Sequence, residues 1–271
     1  MICLTADLHH MSLKTGNQEH SDQTEMRLAG QFVKMMEARN IKGSFFITGR
    51  SFDEEWEDVK PIAESPNIEV GGHNYWAFKP ELPHRIWNKL TKNYNGPYWY
   101  QYYDTKKCID TIEKYTGKRI NIWRNHMYMH GPNTEKVLSS LGINIVSDGV
   151  VKDNFEPLRD ETGIYSFPIN VIPDHEHLIH AERTPEWIAW WQKRYNWSDD
   201  FGPDSYYIDE WTEILLSQLR ANEAAGKTSM VIIHPITMYL CDKFEATKRI
   251  LDYMATCETV FISDLLPKES A

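Results

Sequence analysis

Histidine, aspartate and arginine recur in short polar groups, each of which follows a run of apolar residues. Imidazoles and carboxylates are the side chains that bind divalent cations and move protons near neutral pH. Six such groups occur: Asp7 with His9 and His10, His73, Arg124 with His126, Asp148, Asp174 with His175 and His177, and His234. Each has a structural explanation by itself, because an Asp after a strand often caps a helix. Their recurrence at six predicted strand ends favours one active site.

The apolar runs before these groups have the length of short buried strands, and they alternate with segments of helical periodicity. Residues 2–6, 43–48 and 230–233 predict strands, whereas residues 24–39 and 207–225 predict helices. Strands joined by crossover helices pair in parallel. We therefore expect an α/β fold, a single distorted (β/α) barrel of seven or eight parallel strands, with an open doubly wound sheet as the alternative.

One domain is expected over residues 1–271, with aromatic-rich insertions at about 74–104 and 168–203. Neither period is strong in these two stretches, apart from a short helix predicted near residues 84–90, and a last strand is expected at 260–262. Both insertions follow strand ends, so both should border the same mouth. Aromatic faces stack on sugar rings, which favours a carbohydrate substrate. Packing of the Trp residues onto the barrel is the equal alternative.

Composition excludes several classes of protein. The chain has 271 residues, and 29 basic against 39 acidic residues give a formal charge of −10, which argues against nucleic acid or an anionic membrane surface as the main partner. No apolar run is long enough to span a bilayer. The first residues predict a strand rather than a secretion signal, so we expect a cytoplasmic protein. The four cysteines form no C-x-x-C pair and are expected to be free thiols.

Five segments carry a resemblance to a known family. In chain order they are Thr5-Ala6-Asp7, Gly71-Gly72-His73-Asn74-Tyr75, Trp123-Arg124-Asn125-His126, Ser147-Asp148 and Ile232-Ile233-His234. Their order and spacing resemble the motifs of the NodB-like polysaccharide deacetylases (carbohydrate esterase family 4), which lie on a distorted (β/α) barrel. The resemblance implies a hydrolase that removes an acetyl or other N-acyl group from an amino sugar or glycan intermediate.

Two departures from the family pattern concern the metal. Leu8 stands where the family has a metal-binding Asp, and a D-x-D variant of the motif would make His9 the ligand; Asp7 and His9 share one side of an extended strand. Ala77 stands at the second His of the family's H-x-x-x-H motif. The resemblance therefore implies a divalent metal, zinc by expectation, held by His9 and His73. The third ligand is then open among His126, His10, His175 and His177.

The resemblance also implies roles for four catalytic residues. Asp7 would be the general base, and Arg124 would hold it ionised. His234 would protonate the leaving amine, with its pKa kept high by Asp148 or another carboxylate. A backbone N–H near residues 127–128 would stabilise the oxyanion.

Three other functions are compatible with the same residues. The first is a metal-free amidohydrolase of the allantoinase type on the same fold. The second is a non-catalytic carbohydrate-binding relative, which Leu8 and Ala77 favour. The third is a glycosidase that uses Asp7 and Asp148, although it would leave the histidines without a role.

Overall fold

The computed structural model describes residues 1–267, and the last four residues of the expected domain lie outside the described residues. Eight strands form one sheet in the order β6-β7-β5-β4-β3-β2-β1-β8. Their bounds are β1 Ile2–Leu8, β2 Gly43–Ile47, β3 Ile68–Gly72, β4 Ile122–Trp123, β5 Ile145–Val146, β6 Leu158–Arg159, β7 Tyr165–Ser166 and β8 Ser229–Ile232. All neighbours pair in parallel except β6, which runs antiparallel to β7 at one edge.

Helices connect the strands and cover the sheet. They are α1 Gly16–Glu19, α2 Glu25–Glu37, α3 Gly49–Glu54, α4 Trp56–Ala63, α5 Glu81–Thr91, α6 Tyr98–Thr116, α7 Thr134–Ser140, α8 Asp174–His177, α9 Pro185–Tyr195, α10 Ile208–Ala224, α11 Pro235–Asp242 and α12 Glu245–Met254. None of the helices within residues 1–267 combines the length and hydrophobicity that crossing a bilayer requires.

Burial on both faces explains why the central strands are apolar. Every residue of β1 is buried, and β1 pairs with β2 on one side and β8 on the other. Helix α2 packs its apolar stripe, which includes Phe32, into the same core, and the Thr24 hydroxyl caps its first turn. The polar residues at the ends of β1, β3, β4 and β8 therefore meet at one end of the sheet.

The sheet is curled rather than closed by a complete strand ladder. The space between its two edges is crossed by the segment after β7, where Asn170 exchanges two hydrogen bonds with Met230 of β8, one through its backbone N–H and one through its side-chain oxygen. This architecture confirms the expected distorted (β/α) barrel.

Three local predictions differ from the structure. The first aromatic-rich stretch is mostly helical, since it contains α5 and the start of α6. The second contains α8 and α9. Residues 260–262 form no strand: Thr259 makes a single bridge to Ile2, and a 3₁₀ turn begins at Ile262. Periodicity was weak at all three places because half-exposed helices and single bridges leave little alternation in a sequence.

Candidate active site

Three histidine side chains converge at the carboxyl ends of β1, β3 and β4. His9 follows β1, His73 follows β3, and His126 lies in a 3₁₀ turn shortly after β4. His126 Nδ1 lies 3.2 Å from His9 Nε2 and 3.3 Å from His73 Nε2. All three nitrogens are within 4.8 Å of one another. We refer to His9, His73 and His126 as the three-histidine cluster.

The outer hydrogen bonds of the cluster fix which nitrogens are unprotonated. His9 Nδ1 lies 2.9 Å from a Glu25 carboxylate oxygen, and His73 Nδ1 lies 2.9 Å from the Arg124 carbonyl oxygen. Each partner is an acceptor, so Nδ1 is the donor and Nε2 of the neutral ring bears a lone pair. These two lone pairs face His126 Nδ1, which has at most one proton to offer both. The arrangement is therefore one that a cation stabilises.

The cluster fits a divalent ion bound by imidazoles. Two nitrogens at tetrahedral zinc distances are about 3.3 Å apart, which matches both His126 contacts. Burial lowers the pKa of His73 to about 3 and, with the neighbouring imidazoles, holds the pKa of His126 well below its usual value. Neutral rings are the form that binds metal. Glu25 and the Arg124 carbonyl supply the outer partners that orient such ligands.

Asp7 lies beside the cluster in a buried ion pair. Arg124 Nη1 donates to Asp7 Oδ1 at 2.8 Å, and Asp7 Oδ2 lies 3.8 Å from His73 Nε2. Burial opposes ionisation of this carboxyl, but the charge and hydrogen bond of Arg124, with the charge of His234, outweigh it and hold the pKa of Asp7 well below its usual range. The structure thus brings Asp7, Arg124 and His73 together as the sequence predicted.

His234 completes the same site from β8, and its carboxylate partner is Asp174. His234 Nδ1 lies 2.8 Å from Asp174 Oδ1, and Asp174 Oδ2 accepts the His234 backbone N–H. Burial favours the neutral ring, yet the Asp174 charge and hydrogen bond raise the pKa of His234 to about 9. The imidazolium is therefore the main form at neutral pH.

Asp148, the carboxylate named first from the sequence, does not contact His234. It accepts hydrogen bonds from the Asn125 backbone and side chain at 2.8 and 2.6 Å, and it pairs with His130 Nε2 at 2.7 Å. The reason is its position at the end of β5, next to the loop after β4. Asp148 therefore holds the loop that carries His126, and the alternative of another carboxylate at His234 is the one the structure shows.

A second buried carboxylate positions His126 from the other side. The Asn74 side-chain oxygen accepts the His126 backbone N–H at 3.0 Å, while Asn74 Nδ2 donates to Asp104 at 2.9 Å. Asp104 also accepts the N–H groups of Tyr75 and Trp76. Asn74 has a φ of 60°, a left-handed conformation that Asn tolerates better than most residues. Asn74 thereby ties the loop after β3 to the loop after β4.

The site opens into a cavity of about 400 Å³. His9, His126, His175 and His234 line it together with residues of α1 and the loop before α5. Phe78 and Tyr94 are its aromatic residues; within residues 1–267 no tryptophan lines it. Trp187 and Trp191 instead stack on each other and on Arg183. Packing, rather than lining the cavity, is thus the role of these tryptophans. A larger cavity of about 650 Å³ at the opposite strand ends is lined by no described histidine.

The other candidate third ligands lie elsewhere. His10 points away from the cluster and contacts Thr48, and burial lowers its pKa to about 4. His177 is buried against Asp199 and the Asp204 carbonyl. His175 lines the cavity but stacks beside His234, with ring centroids 5.3 Å apart. Of the four candidates, His126 is the one that joins His9 and His73.

Sequence reasoning missed Glu25 and did not pair Asp174 with His234. Glu25 follows the helix cap Thr24 and looks like an ordinary first-turn acid, yet it is fully buried. Asp174 was noted at a strand end, and only its 60-residue separation from His234 hid the contact. The sequence carries no signal for Glu25, because its burial depends on contacts between distant segments.

Comparison with known proteins finds one family model that matches part of the chain. Residues 22–146 match the family model for polysaccharide deacetylase, a segment that includes His73, Arg124 and His126. Over this segment the chain is similar to the polysaccharide deacetylases, the family that its sequence motifs resemble. No curated protein matches the chain significantly in sequence.

Solved structures with the same fold are 14% identical or thereabouts. A "putative polysaccharide deacetylase" from Mycobacterium smegmatis has a TM-score of 0.69 and 14% identity, with 96% of this chain and 86% of that chain covered. Puue allantoinase has a TM-score of 0.63 and 14% identity, with 97% of this chain and 89% of that chain covered. A CE4 family pseudoenzyme from Bacillus anthracis has a TM-score of 0.51 and 14% identity, with 98% of this chain and 65% of that chain covered. The fold of this family therefore serves proteins of different activity.

We expect Asn74→Gly to weaken metal binding without unfolding the protein. Glycine relieves the left-handed backbone but removes the side-chain oxygen that accepts the His126 N–H and the amide that donates to Asp104. Loss of such an outer contact lowers metal affinity about 10- to 100-fold. Calorimetric titration of the metal-free protein with Zn²⁺ measures this change.

Asn40→Gly is the matched control for Asn74→Gly. Asn40 also has a left-handed backbone, with a φ of 54°, but it is exposed and lies outside the site. It should bind Zn²⁺ as the unsubstituted protein does. Equal affinity in both variants would contradict the assigned role of Asn74.

Because of the His234–Asp174 pair, the free energy of unfolding should fall as the pH rises into the alkaline range. The folded pKa of about 9 lies above the ordinary value of 6.5, so the pair stabilises fully below about pH 6.5 and the effect is lost as pH rises through 9. The shift corresponds to about 3 kcal/mol of unfolding free energy. Urea denaturation between these pH values should show this loss in the unsubstituted protein and not in Asp174→Asn or His234→Gln. A parallel loss in all three proteins would show that other groups cause it.

Proposed function

We propose that the protein is a metal-assisted hydrolase that removes an acetyl or other N-acyl group from an amino sugar or sugar-linked intermediate. The family match supports a deacetylase role. The single observation that carries the proposal is the convergence of three imidazole nitrogens, within 4.8 Å of one another, beside the Asp7–Arg124 pair and the protonated His234. Such a site offers a cation, a base and an acid at one cavity.

Zinc is the proposed metal, and His9, His73 and His126 would hold it. Imidazole ligands suit zinc, and three protein ligands leave a position open for water or substrate. When bound, the ion would polarise the acyl carbonyl and acidify a water molecule. This chemistry needs the three rings to stay neutral, which their burial ensures for His73 and His126.

The residues of the chain would divide the proton transfers between them. Asp7, held ionised and oriented by Arg124, accepts the proton of the attacking water. His234, protonated because of Asp174, donates a proton to the amine nitrogen as the C–N bond breaks. Water and an amide are thus converted into a carboxylic acid and an amine, and the base and acid then exchange the proton with solvent.

The proposed donor to the oxyanion is the backbone N–H of Met127. The neighbouring Tyr128 N–H is already donated to the Asn125 carbonyl at 2.9 Å, whereas the Met127 N–H has no acceptor among residues 1–267. Met127 has a φ of 57° and lines the cavity. A non-glycine residue in this conformation stores strain of the kind found at functional sites.

The cavity supports a small acylated sugar as substrate rather than a broad polymer groove. Its volume of about 400 Å³ is within the range of sites for small ligands. The cytoplasmic location expected from the sequence stays a prediction.

Substitution of the base or the acid should lower turnover strongly. Asp7→Asn and His234→Ala should each reduce the hydrolysis of an N-acetylated amino sugar by at least ~100-fold, because each removes a proton-transfer group. The assay follows acetate release by the zinc-loaded protein. Asp148→Asn is the comparison variant and should leave the alkaline limb of the pH profile unchanged, while Asp174→Asn should move it to lower pH. Near-normal turnover in Asp7→Asn would refute the proposed mechanism.

Metal content separates this proposal from its alternatives. Protein purified without a histidine tag should contain about one divalent ion per chain, and His126→Ala should lose it. His175→Ala is the matched control, since His175 lines the same cavity outside the cluster. Amidase activity without metal would favour an allantoinase-type hydrolase. Metal binding without any activity towards acylated sugars would favour a non-catalytic relative.

A further inference from the structure

The outer face of α5 exposes an aliphatic stripe. Leu82, Ile86 and Leu90 follow one another at four-residue spacing and are 67%, 47% and 76% exposed. Residues at this spacing lie on one side of a helix, and His84, on the opposite side, is buried. Helix α5 therefore packs on the protein by its polar and aromatic side and presents its most apolar side to the exterior.

Basic residues flank the stripe. Arg85 and Lys89 are exposed on the same side of α5, and Lys92 follows its last turn. Residues 79–92 contain four cations and one carboxylate, Glu81, which gives a local charge of +3 on a chain whose total is −10. Leucine and isoleucine beside lysine and arginine are typical of helices that lie in the headgroup region of a bilayer. We define the outer face of α5 as Leu82, Arg85, Ile86, Lys89 and Leu90.

We propose that the outer face of α5 binds a lipid bilayer that carries anionic headgroups. Aliphatic side chains would enter the boundary between headgroups and acyl chains, and the cations would contact the negative surface. The net charge of the chain argues against an anionic partner only for the molecule as a whole. Because screening limits such interactions to about 10 Å, the local charge of this face decides its partner.

A second copy of the chain fits this face less well. A two-fold contact would bring Arg85 and Lys89 of one copy against the same residues of the other, and like charges across an interface are destabilising. Three aliphatic side chains on one short helix also provide much less than the roughly 800 Å² that each partner of a stable dimer buries. An anionic bilayer avoids both difficulties.

The position of α5 links this surface to the proposed active site. Lys79 and Glu81, at the start of the same segment, line the cavity that holds His9 and His126. Trp99, which is 66% exposed, reaches α5 through Tyr100, whose ring packs on Trp87. Exposed Trp is common at membrane interfaces. Docking by α5 would therefore place the mouth of the cavity close to the lipid surface, where a lipid-anchored substrate would be presented.

Vesicle flotation of the full chain tests the proposal without any assay of activity. The protein should float with vesicles of phosphatidylcholine and phosphatidylglycerol, float less in high salt, and not float with phosphatidylcholine alone. Arg85→Gln with Lys89→Gln should lower the partition coefficient roughly 10-fold or more, because each cation contributes separately at an anionic surface. Leu82→Ser with Ile86→Ser and Leu90→Ser should abolish flotation.

Lys193→Gln with Arg194→Gln is the matched control. It removes the same number of exposed charges from α9, so it should float as the unsubstituted protein does, and thermal unfolding should show that all variants are folded. The proposal is overturned by an absence of flotation with anionic vesicles, or by an equal loss in the control. It is also overturned if sedimentation shows a dimer that the three Ser substitutions dissociate while no protein binds vesicles.

Discussion

The buried guanidinium of Arg124 is the interaction on which the site depends. It donates four hydrogen bonds, to Asp7, to the Thr5 hydroxyl, and to both the hydroxyl and the carbonyl of Ser147, so that one side chain joins β1, the end of β4 and the segment after β5. A fully buried cation of this kind depends on its charged partner, since removal of that partner leaves an uncompensated charge at a cost of about 3–5 kcal/mol. The same residue's carbonyl accepts His73 Nδ1. Arg124 therefore holds Asp7 ionised through its side chain and fixes the tautomer of His73 through its carbonyl.

The three-histidine cluster offers, in the proposed metal site, a compensation for the two departures from the motifs of the NodB-like deacetylases. Leu8 cannot bind metal and points into the core, whereas His9, one residue later, lies on the side of Asp7. In the proposed site, His126 from a different loop would take the ligand role of the family's second His, whose position is occupied here by Ala77. This exchange requires that the loop after β4 be held in place, and Asn74 and Asp148 do so from its two sides. If His126 is the third ligand of the proposed metal site, its place on another loop accounts for the two buried polar residues that hold that loop.

Much of this arrangement could be predicted from the sequence, and the reason is topological. Parallel strands bring their carboxyl ends to one edge, so Asp7, His9, His73, Arg124 and His234 could be assigned to one place without knowledge of their contacts. The choice among His126, His10, His175 and His177 could not be made, because it depends on loop conformation. The pairing of Asp174 with His234 and the burial of Glu25 depend on approaches between distant segments. Aromatic content likewise could not distinguish tryptophans that line a cavity from tryptophans that pack on Arg183.

The protonation states of Asp7 and His234 depend on the one charged partner that each of them contacts. Both groups are buried, and burial alone would make both neutral. Arg124 reverses this for Asp7, and Asp174 reverses it for His234, so that the carboxylate and the imidazolium are both charged at neutral pH. Each charged form also stabilises the other, since His234 contributes to lowering the pKa of Asp7 and Asp7 to raising that of His234. In the proposed mechanism these two ionised groups would transfer protons to and from a substrate that lies beside the three-histidine cluster.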